Sequence, residues 1–264
     1  MTRALILAAG QGTRLRPLTN DKPKCLVTLL GQSLLERQIT TLRKAKINEI
    51  HIATGYQSDQ ISKLGFETTY NPRYAETNMV ETLFCARDYI KESAELDEDL
   101  IIAYGDIVYQ DENLSRLLAC DNEVALMIDA KWEDLWRLRM DNPLDDAETL
   151  VIDAHGFIKE LGKKPENYER IQGQYTGLIK LRGDKINNFI GAYQQLDRNG
   201  NYDGQAFNNM YMTSFLQLLI DSGWPVKAVV VNSGWLEIDS VEDLKRYESM
   251  FEKGELDPFF RVDG

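Results

Sequence analysis

Residues 5–27 read LILAAGQGTRLRPLTNDKPKCLV, an apolar run passing directly into a loop that carries two glycines, two arginines, two lysines and two prolines. Residues 3–9 have the length and composition of a buried strand. Ser33 then precedes LLERQITTLRKAK, in which Leu34, Leu35, Ile39 and Leu42 recur at helical spacing. A strand, a flexible basic loop and a helix therefore follow one another at the start of the chain.

The alternation continues. Residues 50–53 and 66–70 read as strands, and Asn78 with Glu81 gives a capping-box-like start to the helix TLFCARDYIKES. LIIAY is a strand ending at Gly105-Asp106, ENLSRLLAC is helical and EVALMIDA is again a strand. Beyond Trp132 the pattern is less regular, with strand-like pieces at 150–153, 157–161 and 175–181 and helices near 185–196 and 207–221. Strands return at 226–231 and 235–238, and Ser240 opens a last helix with Asp243 at its N3 position. Such alternation predicts an α/β fold, a Rossmann-like three-layer α/β/α sandwich with a mixed, mostly parallel sheet and a lid-like second half. With 264 residues and no linker-like tract, one domain over 1–264 is expected, with halves at 1–131 and 132–264.

The chain holds 30 basic and 42 acidic residues, a formal charge of −12, which repels nucleic acid and anionic lipid surfaces. Against that field, the cluster Arg14, Arg16, Lys22 and Lys24 suits small phosphorylated molecules. Cys25, Cys85 and Cys120 lack CxxC spacing, so neither a disulfide framework nor a zinc site is indicated and a reducing cytoplasm is expected. No segment has the length of a membrane span or the layout of a signal peptide, so membrane insertion is not expected.

Three readings compete for GQGTRL. A dinucleotide fingerprint requires a glycine where Leu15 stands and an acidic residue after the second strand, and residues 51–54 offer none. A Walker loop requires Gly-Lys-Ser/Thr, which is absent. What remains is a loop in which Gly10 and Gly12 let main-chain N–H groups approach a triphosphate while cationic side chains balance its charge. An ordinary solvated turn is the bland alternative.

The segment LAAGQGTRLRPLTNDKPKCLV resembles the signature G-x-G-T/S-R-L-x-P-L-T-x-x-x-P-K of the nucleotidyltransferases that join nucleoside triphosphates to phosphorylated sugars or alcohols. The similarity extends through Gly55-Tyr56, Gly105-Asp106 and residues 237–240. It implies a nucleotide site at Leu7, Ala8, Ala9, Gly10, Gly12, Thr13, Arg14, Gly55, Tyr56, Thr77, Asn78 and Asp106. Arg14 would grip the β- and γ-phosphates, Lys24 would contact the acceptor phosphate, and Asp106 and Asp239 would hold Mg²⁺. Two carboxylates suffice for this hard ion, which keeps waters and substrate phosphates as further ligands. Asp239 and Ser240 are both suited to cap the final helix. His51 and His155 are read as structural or surface residues. An acceptor phosphate is already anionic and needs no general base. It attacks the α-phosphorus in line and pyrophosphate leaves.

The segment ETNMVETLFCAR resembles the phosphocholine cytidylyltransferase branch, which implies CTP as the nucleotide. That likeness places the acceptor among Lys24, Asn78, Trp136, Asn209, Tyr211 and Glu237, with the pocket formed mainly by the second half of the chain and tryptophan faces suited to a cation. Asn78 serves equally well as a helix cap. Where that branch has an aspartate this chain has Asn209, so Asp203, Glu237 or Asp134 is left to supply a negative charge, or the acceptor is a phospho-amino acid, a phosphonate or a sugar phosphate. The expected activity is transfer of a nucleoside monophosphate for cell-surface or lipid assembly. A sugar-1-phosphate nucleotidyltransferase and a catalytically inert nucleotide-binding relative are the rivals, and a homodimer is left open.

Overall fold

The computed structural model describes residues 1–262. Thr2–Ala8 is the strand ahead of the glycine loop. Its side chains part across the sheet, with Ala4, Ile6 and Ala8 in one apolar cluster and Leu5 and Leu7 in the other. Because both faces are buried, the run reads as continuously apolar rather than alternating.

The central sheet has seven strands in the order Val226–Val231, Val124–Asp129, Gln174–Leu181, Asp99–Tyr104, Thr2–Ala8, Ile50–Thr54, Glu67–Tyr70. Gln174–Leu181 is antiparallel to both neighbours and the other adjacent pairs are parallel. The two apolar clusters flank the sheet, so the mixed α/β/α sandwich read from the sequence is the architecture observed. The second half does more than cover the sheet, because it supplies Gln174–Leu181 and Val226–Val231. The small ribbon Leu150–Ile152 with Ile158–Leu161 and the helix Met212–Asp221 are joined by a bond from the Leu161 N–H to Gln217 Oε1 at 2.7 Å.

Two capping boxes form as their spacing predicts, at Ser33/Glu36 and Ser240/Asp243. The one expected at Asn78 does not close. Asn78 accepts from the Met79 N–H, but Glu81 turns away to accept from the Tyr193 hydroxyl at 2.9 Å and to pair with Arg73. The single helix expected after Asn78 is also two, Met79–Cys85 and Arg87–Glu95, which meet at Ala86. Trp132–Arg139, where no regular element was expected, is a helix.

Candidate active site

Gly12 adopts φ 62°, ψ 48° as the chain turns into Thr13–Leu15, and a Cβ on it would stand 3.0 Å from Lys24 Cβ. Glycine at this point permits both the left-handed turn and the close packing of the lysine stem. The Thr19 hydroxyl fastens the turn by donating to the Gly12 carbonyl at 2.7 Å. Across the sheet, a Cβ on Gly105 would lie 2.8 Å from the Leu7 carbonyl oxygen, so only glycine lets Asp106 emerge so close to the loop.

Asp239 reaches the same place from 133 residues away in sequence through backbone pairing. Trp235–Glu237 runs antiparallel to Ile107–Tyr109, and the Ile238 N–H donates to the Asp106 carbonyl at 3.1 Å. Ser240, not Asp239, caps the last helix by accepting from the Asp243 N–H at 3.0 Å, which leaves the Asp239 carboxylate free for other partners. Lys24 Nζ lies 2.8 Å from Asp106 Oδ2 and 2.7 Å from Asp239 Oδ1, and the Arg14 guanidinium pairs with Asp239 Oδ2. Burial opposes the charge on Lys24, but Asp106, Asp239 and Glu237 outweigh it and hold its pKa above the ordinary lysine range. The neighbouring Cys25 thiol is pushed up to about 12 by burial and is inert.

Asp106 Oδ1 is buried and has no hydrogen-bond partner. A hard cation at this edge would satisfy it. Among the described residues no group of three His, Cys, Asp or Glu side chains is arranged to hold a metal. Two carboxylates beside a phosphate-binding loop nevertheless match the few protein ligands that Mg²⁺ takes. The donor set fits that ion.

A cleft of about 150 Å³ runs from this cluster along the strand end, lined by Leu7, Ala8, Ala9, Gly10, Thr77, Asn78, Lys24 and Asp106. Tyr74 and Thr82 join this wall, although nothing in the sequence marked them. Gly55 and Tyr56 stand behind the loop instead. The Tyr56 N–H donates to the Ala9 carbonyl at 3.1 Å and its hydroxyl to the Asn20 carbonyl at 2.8 Å, so the pair braces the loop. His51 stacks on Tyr89 with centroids 4.4 Å apart and bonds Thr69 through Nε2, a structural placement.

A second cavity, of about 310 Å³, opens beside the first and is lined by Arg14, Asn78, Trp136, Tyr211 and Glu237 from the sequence-derived set. Lys24 lines the first cleft rather than this wall. Asn209 is outside it too. The turn Phe207–Asn209 buries Phe207 and leaves Asn209 exposed, with its carbonyl 3.5 Å from Asn78 Nδ2. Asp134 and Asp203 do not line the cavity either, whereas Asp146 and Glu148 do. Trp136 is buried, its indole N–H donates to Asp146 Oδ2 at 3.1 Å, and Arg139 lies 5.4 Å from its ring centroid.

Arg139 is the residue that sequence reasoning passed over most completely. Three positions after Trp136 on the same helix, it donates to Glu237 Oε2 at 2.8 Å and to Asp243 Oδ1 at 3.1 Å. Burial raises the Glu237 pKa above the usual carboxylate range, and Arg139 opposes that rise. Burial likewise disfavours the charge on Arg139, but Glu237 and Asp243 prevail and raise its pKa. Arg139 thereby ties the helix Trp132–Arg139 to the ribbon that leads to Asp239. Reading residues 132–139 as a helix would have exposed its alignment with Trp136. No comparable signal marks Glu148.

A glycine turn ahead of a lysine shared by two carboxylates is the arrangement expected of a nucleotidyltransferase. The chain belongs to the family described as MobA-like NTP transferase domain, whose model matches residues 4–145. A CTP:phosphoglutamine cytidylyltransferase of Campylobacter jejuni is 44% identical over 247 residues, which are 92% of this chain and 97% of that protein. A choline-phosphate cytidylyltransferase of Streptococcus pneumoniae is 39% identical over 101 residues, 37% of this chain and 44% of the relative. Among solved structures, the inositol-1-phosphate CTP transferase from T. maritima has a TM-score of 0.70 over 98% of both chains at 20% identity, a likeness of fold. No helix among the described residues is long and apolar enough to cross a membrane.

Proposed function

We propose that this enzyme transfers CMP from CTP to phosphoglutamine or a closely similar phosphorylated amino acid, releasing pyrophosphate, with Mg²⁺ held by Asp106 and Asp239. The observation that carries this reading is the 44% identity to the phosphoglutamine enzyme over 92% of the chain, in a protein whose Lys24, Asp106 and Asp239 meet within hydrogen-bonding distance.

An oxygen of the acceptor phosphate forms a bond to the α-phosphorus of CTP. The opposite bond to the bridging oxygen breaks, and pyrophosphate departs with its electron pair. The attacking oxygen is already anionic, so no side chain removes a proton. Lys24 stands where the two anions must approach and lowers their repulsion, while Arg14 at the mouth balances the departing phosphates. Magnesium bound to the two aspartates would add Lewis-acid stabilisation of phosphate charge. The cleft at Leu7, Ala8 and Ala9 offers main-chain groups and a narrow apolar wall for the nucleoside.

Pyrophosphate release is the test, with CTP, UTP, dTTP and ATP each offered against phosphoglutamine, phosphocholine, 2-aminoethylphosphonate and a sugar 1-phosphate. CTP with phosphoglutamine is expected to give the highest kcat/KM. A preference for a sugar 1-phosphate would replace this reading with that of an NDP-sugar synthase.

A further inference from the structure

The cavity beside the nucleotide cleft carries an unbalanced charge. Of its ionic side chains, Arg14 is paired with Asp239 and Glu237 with Arg139. Asp146 and Glu148 remain, and among the described residues neither has a basic side chain within ion-pair distance. Asp146 has the indole N–H of Trp136 as its neutral partner. Glu148 lies beside the Thr213 hydroxyl, and the charges that act on it most are the carboxylates of Asp146, Glu237 and Asp203.

Glu148 is also held in place. The carboxamide of Gln174, buried at the start of the strand Gln174–Leu181, accepts from the Glu148 N–H at 2.9 Å and donates to the Glu148 carbonyl at 2.6 Å. The next residues of that strand lose register with Val124–Asp129 between Tyr175 and Ile179, and this bulge sets Tyr175, Thr176 and Gly177 into the cavity wall. A carboxylate fixed by its backbone, half-buried and surrounded by its own sign, is costly unless a cation arrives.

We propose that Glu148 selects acceptors that carry a cationic nitrogen, with an α-ammonium group seated between its carboxylate and that of Asp146. The inference rests on the phospho-amino-acid reading above and names the group by which that acceptor is recognised. An acceptor without the cation leaves the half-buried Glu148 carboxylate unpaired beside that of Asp146 at the exposed rim of the cavity. Burial, helped by Asp146, pushes the Glu148 carboxyl up to about 7 in the empty site, so the cavity loses its attraction for a cation as pH falls through neutrality. The cavity places Asp146, Glu237, Arg14 (paired with Asp239) and the Tyr175 phenol around it, with Asp203 acting from outside the lining, and the phenol stays neutral there because burial raises its pKa.

Phosphoglutamine and its desamino counterpart, with CTP in excess, test the assignment in the wild-type enzyme and in Glu148→Gln. The wild type should prefer phosphoglutamine by about ten- to a hundredfold in kcat/KM, the span of a hydrogen-bonded charge. In Glu148→Gln the preference should shrink to a few-fold, mainly through a higher KM for phosphoglutamine, while the KM for CTP changes far less. The rise of acceptor KM on going from pH 8 to pH 6 should also flatten. A variant that keeps both the preference and the pH dependence would overturn the assignment while leaving the cytidylyltransferase reading intact. Wild-type enzyme that turns over neither compound but accepts a sugar 1-phosphate would remove the reading on which the assignment stands, and the assignment with it. Thermal unfolding of the variant at or above the wild-type temperature shows that a lost preference is not lost structure.

Discussion

At the strand ends Lys24 lies within 2.8 Å of two carboxylates and Arg14 pairs with one of them. In the neighbouring cavity Asp146 and Glu148 have no basic partner among the described residues. The first region has internal charge balance and can hold its geometry before substrate arrives. The second is left short of positive charge, which costs stability but gives a cationic substrate something to neutralise. Preorganisation thus belongs to the chemistry and electrostatic deficit to recognition.

The largest effects should come from the balanced region. Lys24→Ala is expected to lower kcat by about two to three orders of magnitude with a much smaller change in CTP affinity, since its charge acts where two phosphates approach. Near-normal turnover would remove Lys24 from the mechanism. Asp106→Asn and Asp239→Asn should each cripple activity, and the double variant should be little worse than either, as for residues that act as a unit. Multiplicative losses would show that the two carboxylates do not share one ion. The same cluster allows a readout without turnover. Lys24→Met should bind Mn²⁺ about tenfold more tightly in the absence of nucleotide, by paramagnetic resonance, because a unit charge close to the site no longer competes. Unchanged Mn²⁺ affinity would mean that the ammonium and the ion do not contend for these carboxylates.

Arg139 joins the two regions, and removing it should break both. Arg139→Met leaves Glu237 and Asp243 without their buried partner, a loss of about 3–5 kcal/mol measurable by urea unfolding. A loss below about 1 kcal/mol, the range of exposed pairs, would reclassify this bridge as a surface contact. Trp136→Phe removes the N–H donated to Asp146 together with part of the buried indole ring, so the acceptor KM should rise about tenfold while that of CTP stays constant. A defect confined to CTP would move the acceptor pocket elsewhere.

The smallest expected effect concerns stability and pH. A carboxyl whose folded pKa, about 7 for Glu148, exceeds its unfolded value contributes stability that is full below the unfolded pKa. That contribution declines as pH rises and is gone above the folded pKa. Between about pH 5 and 8 the wild type should therefore lose more thermal stability than Glu148→Gln, whose amide does not titrate, with the gap widest at the alkaline end. Parallel curves for the two proteins would show that Glu148 is solvated like an ordinary surface glutamate.

Where chemistry depends on residues close in sequence, or on secondary structure with strong periodicity, the chain was readable as a string. The strand–loop–helix of residues 2–44, the parallel alternation up to Asp129 and the glycine loop with Arg14 and Lys24 are local patterns, because apolar spacing and caps act over a few residues. The cap at Ser240 was legible for the same reason, but the choice of Ser240 over Asp239 was not, since either side chain can cap and only the bond to the Asp243 N–H decides. Tertiary structure alone brings Asp239 to Asp106, through a two-stranded ribbon that no spacing encodes. It also turns Glu81 toward Tyr193, leaves Asn209 outside the cavity beside the first cleft and sets Glu148 in that cavity's wall. Glu148 lies in the irregular stretch DDAETL, where its position depends on the side chain of Gln174, twenty-six residues later. Burial and the sign of neighbouring charge, which turn an ordinary glutamate into a selective one, are properties of what packs around a residue, and a linear sequence carries them only after the chain has folded.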